Sequence, residues 1–252
     1  MFRWQPQMIR YMKDASEYGF YHRNLAEKIV KHLPENANIC DAGCGLGYLS
    51  LELAQYCHNV IAVDIAPKAL NILSQNIQQH GYTNISVVEG NISDCCPLKP
   101  YDAMVFCFFG SIAKTLAVAK AQCRGRVIMI RKNWEKHRFT LCDKPLEYFN
   151  FAEAQTQLNF IGIPFCYETF ALEMGQPFRS MEDAVDFFRT YSKDVDADSI
   201  TATDIWDKLI KQDCKDFPYY LPSLKQMGLI ALDSGDIPDD IQKYIMVEGE
   251  KK

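Results

Sequence analysis

Five short apolar runs, interleaved with helix-forming stretches, dominate the first half of the chain and limit what it can fold into. "NICDAG" starts at Asn38 and gives way to a helical pattern over Tyr48–Cys57. "NVIAVDI", from Asn59, precedes a helix that Pro67 opens and Gly81 stops, the usual placement of both residues. "NISVVEG" and "YDAMVFCFF" read as a third and a fourth strand, Ser111–Gln122 as a helix and "GRVIMIR" as a fifth strand. Runs apolar at consecutive positions suit strands buried on both faces rather than a half-exposed sheet. Strands alternating with helices then imply a parallel sheet with right-handed crossovers.

The flanks extend this pattern. An amphipathic segment, Tyr21–His32, precedes Pro34, and "IPFCYETFALEM" reads as a sixth strand after a helix over Phe149–Phe160. From about Gly175 to Pro238 the pattern turns helical and acidic, with Ser180 and Asp183 forming a capping-box signal. "QKYIMVEGEKK" alternates and is expected to close the sheet. The expected fold is a doubly wound, Rossmann-like α/β domain whose seven-stranded, mostly parallel sheet has an antiparallel last strand. Its parts would be an N-terminal lid (1–34), a core (35–174), a helical insertion (175–238) and the closing strand (239–252).

Composition narrows the partners. A net charge of −5 over 252 residues argues against DNA and disfavours RNA, because nucleic-acid binders present a positive face. The ten cysteines fall in a long chain without a hydrophobic signal core. A reduced, cytoplasmic protein is therefore expected, with no membrane partner and as monomer or homodimer. No metal is expected: Cys95-Cys96 lacks both CxxC spacing and a neighbouring His.

The loop "DAGCGLGY" carries the functional signal. A dinucleotide fingerprint needs glycine or alanine where this chain has Tyr48. Asp41, two residues before the first glycine, is awkward for a pyrophosphate but favourable for a cation. Acid, glycine loop, helix, strand and second acid follow in that order, and here the chain resembles the class I S-adenosylmethionine-dependent methyltransferases. Asp41, Gly43, Gly45 and Gly47 match the family's acid-x-Gly-x-Gly-x-Gly motif, and Asp64 matches its ribose-binding acid.

The resemblance implies S-adenosylmethionine as cofactor. It places Ile65 and Ile92 on either face of the adenine, Asn91 or Asp94 at its exocyclic amine, and Cys107 at the end of the fourth strand beside the cofactor. It also suggests a leading helix that folds over the site, with Tyr18 and Tyr21 on the methionine carboxylate and His22 as a base. The acceptor is not signalled. Relatives that methylate amides or adenine amines carry Asn/Asp-Pro-Pro-aromatic after the fourth strand, and this chain has Cys107-Phe108-Phe109-Gly110. Phe109, with Lys132 and Trp134 from the basic stretch after the fifth strand, are candidate acceptor contacts. A small-molecule acceptor is the expectation; the alternatives are RNA or protein methylation, or a non-catalytic module that binds S-adenosylmethionine.

Overall fold

A computed structural model describes residues 4–133, 141, 151–192 and 195–244. Two helices lead, α1 (Pro6–Tyr18) and α2 (Tyr21–Ile29). There follow β1 (Asn38–Ala42), α3 (Tyr48–Leu53), β2 (Asn59–Asp64), α4 (Pro67–His80), β3 (Ile85–Glu89), β4 (Tyr101–Cys107), α5 (Ile112–Gln122) and β5 (Cys123–Lys132). Next come α6 (Phe151–Ile161), β6 (Cys166–Glu173), β7 (Gln176–Phe178), α7 (Met181–Tyr191), α8 (Ala202–Ile205), β8 (Ile210–Lys211), β9 (Tyr219–Leu221) and β10 (Leu224–Asp233).

The main sheet has seven strands in the order β3-β2-β1-β4-β5-β10-β6. Strands β1 to β5 pair in parallel, and β10 runs antiparallel to both β5 and β6. The expected fold is therefore present. Period-two alternation splits each central strand between two cores. Cys40, Met104, Phe106, Val127, Met129 and Ile230 pack against α5 and α6 on one face. Ile39, Ala103, Val105, Ile128, Ile130 and Leu229 pack against α2 and α3 on the other. Because both faces are covered, these strands read as continuous apolar runs.

Two boundaries differ from the sequence-based expectation. The antiparallel strand is Leu224–Asp233, not 239–252; residues 239–244 carry turn and helical backbone, and 245–252 lie outside the described residues. As the sixth of seven strands, β10 is buried on both faces, so it lacks the alternation that made the tail look like a strand. The segment 175–238 is also only partly helical. It contains a small sheet of its own, ordered β7-β9-β8, whose strands of two or three residues are too short to show a period.

Helix α1 belongs to this insertion as much as to the main sheet. Tyr11, 1% exposed, packs edge-on against Phe187, ring centroids 4.9 Å apart, in a core with Phe178, Phe188 and Ile205. Its hydroxyl donates to the Asp183 carbonyl at 3.0 Å. Arg179 forks onto both oxygens of the buried Asp14 at 2.5 and 2.7 Å, and Arg10 bonds Asp183 at 2.5 Å. A bidentate pair on a buried carboxylate fixes geometry as well as charge. Tyr11→Ala is expected to lower unfolding free energy by about 3–5 kcal/mol, and Tyr11→Phe by about 1 kcal/mol, measured by urea denaturation. A loss below about 1 kcal/mol for the alanine would mean that α1 is not docked on the insertion.

Candidate functional site

The turn from β1 into α3 sets the site. Gly43, Gly45 and Gly47 have φ of +77°, +57° and +76°, left-handed conformations that suit residues without a Cβ. Space is restricted as well. A Cβ on Gly43 would collide with the Phe109 ring, and one on Gly47 with Leu73 of α4. The amides of Gly43 and Cys44 donate to the Val63 carbonyl at 2.8 and 3.0 Å, which seats the turn on the end of β2. Asp64 then clamps it, one carboxylate oxygen accepting from Gly45 N–H and the other from Ala66 N–H, both at 2.9 Å.

Beneath the turn lies Asp41, 1% exposed. The Ser50 hydroxyl donates to its Oδ2 at 2.6 Å, and among the described residues no cation pairs with it. Burial, opposed by the Ser50 bond and assisted by the charge of Asp64, raises its pKa to about 6. A buried carboxylate without a countercharge is costly and makes this spot favourable for a cation.

Asp41 and the turn form one side of a cavity of about 160 Å³. Trp4, Met12, Tyr21 and His22 come from the leading segment, Cys107 and Phe108 from the end of β4, and Met174 and Lys225 from the other edge. His22 packs between Tyr21 and Tyr48, its ring centroid 5.0 and 5.6 Å from theirs. Its Nδ1 is buried without a hydrogen-bond partner among the described residues. Burial, with the nearby Lys225 charge, lowers its pKa to about 3, so the imidazole is neutral. The Lys225 ammonium sits 4.9 Å from the centroid of the Tyr21 ring and 2.8 Å from Met174 Sδ.

The structure gathers most of the sequence-predicted residues but not all. Asp41, Gly43, Gly45, Gly47, Cys107, Tyr21 and His22 line one cavity, with Asp64 bonded to the loop and the exposed Ile65 beside it. Asn91 is exposed and donates through Nδ2 to Asp94 at 3.1 Å. Ile92, expected to face the adenine, is instead 3% exposed and packed in the core under the sheet. Tyr18, expected at the methionine carboxylate, points elsewhere: its hydroxyl donates to Gln212 at 2.6 Å and its ring packs on Phe217 and Tyr220.

Phe109 stacks on Phe106, centroids 6.3 Å apart, and lies on Gly43 outside the cavity lining. Lys132 ends β5 opposite Met227 and is not part of the lining. Trp134 lies outside the described residues.

Three participants were not singled out from the sequence. Met174 and Lys225 arrive from the turn after β6 and the start of β10, whose placement depends on the whole sheet. Arg131, 4% exposed, donates to the carbonyls of Phe109 and Gly110 at 3.1 and 2.7 Å and to Thr115 Oγ1 at 3.3 Å. It thereby holds the turn after β4, where Phe108 has φ +52°, a strained value for a bulky residue. Among the described residues no group of three His, Cys, Asp or Glu side chains comes together to hold a metal, and no helix is long and apolar enough to cross a membrane.

A family model described as a methyltransferase domain matches residues 33–163. A probable cobalt-precorrin-6B C(15)-methyltransferase (decarboxylating) of Methanothermobacter thermautotrophicus is 33% identical over 94 residues, 35% of this chain and 49% of the relative. An rRNA adenine N-6-methyltransferase of Limosilactobacillus reuteri is 38% identical over 83 residues, 32% of this chain and 33% of the relative. The chain thus spans about half the length of the first and a third of the second. Among solved structures, a SAM-dependent methyltransferase from Aquifex aeolicus shares the fold, with TM-score 0.52 and 19% identity over 65% of this chain and 91% of that one.

The Asp41 carboxylate predicts a pH-dependent stability. With its pKa raised to about 6 in the folded protein, the group costs nothing below its unfolded value near 4 and an increasing amount as pH rises through 6. Asp41→Asn is therefore expected to stabilise the ligand-free protein by up to about 3 kcal/mol at pH 7 and by little at pH 4. Denaturant unfolding at both pH values checks this; a destabilised variant at pH 7 would mean the buried charge is paired.

Proposed function

The chain belongs to the methyltransferase domain family, and from that premise we propose that it is an S-adenosylmethionine-dependent methyltransferase acting on a small molecule. The observation that carries the cofactor assignment is the uncompensated Asp41 carboxylate under the glycine turn. S-adenosylmethionine brings an ammonium and a sulfonium to such a site and no phosphate, whereas a pyrophosphate would meet an anion there. When bound, it supplies a methyl carbon that passes to the acceptor nucleophile, while the sulfur keeps the bonding pair as a neutral thioether and the acceptor's proton goes to solvent.

The residues then take distinct parts. Asp41 and the loop backbone hold the methionine end, and Asp64, each of whose oxygens has a lone pair left over from its backbone bond, accepts the ribose hydroxyls. Ile65 and Asn91 flank the adenine. Phe108 offers its ring face to the sulfonium, a contact worth about 1 kcal/mol. Orientation and exclusion of water then do much of the catalytic work. A histidine with pKa lowered to about 3 is too weak a base to take a proton at neutral pH. His22 serves instead through Nδ1 as a hydrogen-bonding wall.

The half-open cavity, bounded by Trp4, Tyr21, His22, Phe108 and Met174, offers apolar walls that suit a small acceptor better than a polymer, as does the net charge of −5. The precorrin-type relative points the same way. The RNA relative methylates adenine by its name, yet the residues after β4 here, Phe108-Phe109-Gly110, differ from the Asn/Asp-Pro-Pro-aromatic motif of the adenine-amine enzymes.

Transfer of tritiated methyl from S-adenosylmethionine is expected into the small-molecule fraction of a cell extract and not into total RNA. Incorporation into RNA that falls steeply with salt would overturn the acceptor class. Asp64→Asn is expected to weaken S-adenosylhomocysteine binding roughly tenfold, the worth of about one hydrogen bond. Unchanged affinity in calorimetry would contradict the ribose assignment.

A further inference from the structure

A second cavity, of about 210 Å³, lies on the other side of Met174. The rings of Tyr18, Phe20 and Tyr220 wall it, the backbone at Gly19 and Gly175 completes it, and Glu173 supplies its carboxylate. Met174, 4% exposed, lines both cavities, so one unbranched and adaptable side chain stands between them.

The polar groups of this cavity are arranged to accept. Tyr220 donates its hydroxyl proton to Glu173 Oε1 at 2.8 Å, and the Ser223 amide donates to the same oxygen at 2.7 Å. These two bonds fix the carboxylate through Oε1, and Glu173 is otherwise exposed. The phenol proton of Tyr18 is committed to Gln212. Among the lining residues Asn24 brings the remaining side-chain donor, and it is exposed, as are Tyr18, Phe20 and Glu173. Gly175 lets the chain pass close by, because a Cβ there would collide with the Tyr220 side chain and with the Leu221 backbone carbonyl. Aromatic faces around a carboxylate attract flat cations and flat N–H donors.

We propose that this second cavity is the acceptor subsite, and that the acceptor is a flat aromatic or heteroaromatic amine whose N–H or ammonium rests on Glu173 while its far end reaches the first cavity past Met174. The assignment as an acceptor site rests on the methyltransferase reading; the ligand chemistry rests on the cavity alone.

Three probes with one ring system separate the possibilities: tryptamine, indole and indole-3-acetate, titrated into the full chain with and without S-adenosylhomocysteine and followed by saturation-transfer NMR. Tryptamine is expected to bind roughly fivefold or more tightly than indole-3-acetate, the scale of a partly solvated ion pair. Glu173→Gln should bring tryptamine to the level of indole, and Phe20→Ala, at an exposed wall residue, should weaken all three. S-adenosylhomocysteine affinity should be unchanged in both variants, which also shows that they fold.

Equal binding of indole-3-acetate, indifference of tryptamine to Glu173→Gln, or no binding by any probe would overturn the proposal. Failure of wild type to bind S-adenosylhomocysteine would instead overturn the cofactor reading, and the probe comparison without it would still decide the chemistry of the cavity.

Discussion

The turn between β1 and α3 must pass three residues through left-handed backbone with Phe109 and Leu73 pressed against it, and it must do so directly above a buried carboxylate. Everything else at the site is arranged around that constraint. Glycine answers the steric part. Val63 and Asp64 answer the hydrogen-bonding part by taking four amide protons of the two loops. Among the described residues the charge of Asp41 is left with one hydroxyl as its partner, a residual cost that a cationic ligand would relieve. A site that is somewhat unstable when empty gains selectivity, since an anionic cofactor would add to the same cost.

The rest of the chain encloses the turn from one side. Helix α1 and the insertion share an aromatic core around Tyr11 and are tied by two arginine–aspartate pairs, Arg179–Asp14 and Arg10–Asp183. Trp4 and Met12 of the leading segment and Met174 at the root of the insertion reach the cofactor cavity from this shared unit. Cover and insertion therefore share one core and one set of ion pairs.

Much of this was legible in the sequence where local rules and global packing agree. Strands β1, β2, β4 and β5 announce themselves because both faces are largely buried, and the glycine turn with Asp41 and Asp64 is written within 24 consecutive residues. Legibility ended where a role depends on distant parts of the chain. β10 is as apolar as its neighbours, yet nothing local says that "LKQMGLIALD" returns to lie between β5 and β6. Tyr18 follows the aromatic pattern of a lid but is turned away by Phe217 and Tyr220, some 200 residues further on. Lys225 and Met174 enter the site by the same long route. Arg131 reads as part of a basic surface stretch, whereas three backbone or hydroxyl oxygens draw it into the interior.

Whether the Asp41 turn receives a cationic cofactor is decided by calorimetric titration with S-adenosylmethionine and with NAD, at pH 6 in two buffers of different ionisation enthalpy. S-adenosylmethionine is expected to bind at about micromolar concentration with release of a fraction of a proton, as the cation draws Asp41 to its charged form, and NAD is expected to show no comparable binding. Tighter binding of NAD, or S-adenosylmethionine binding with no proton released from wild type, would mean that the turn was not built for a cation.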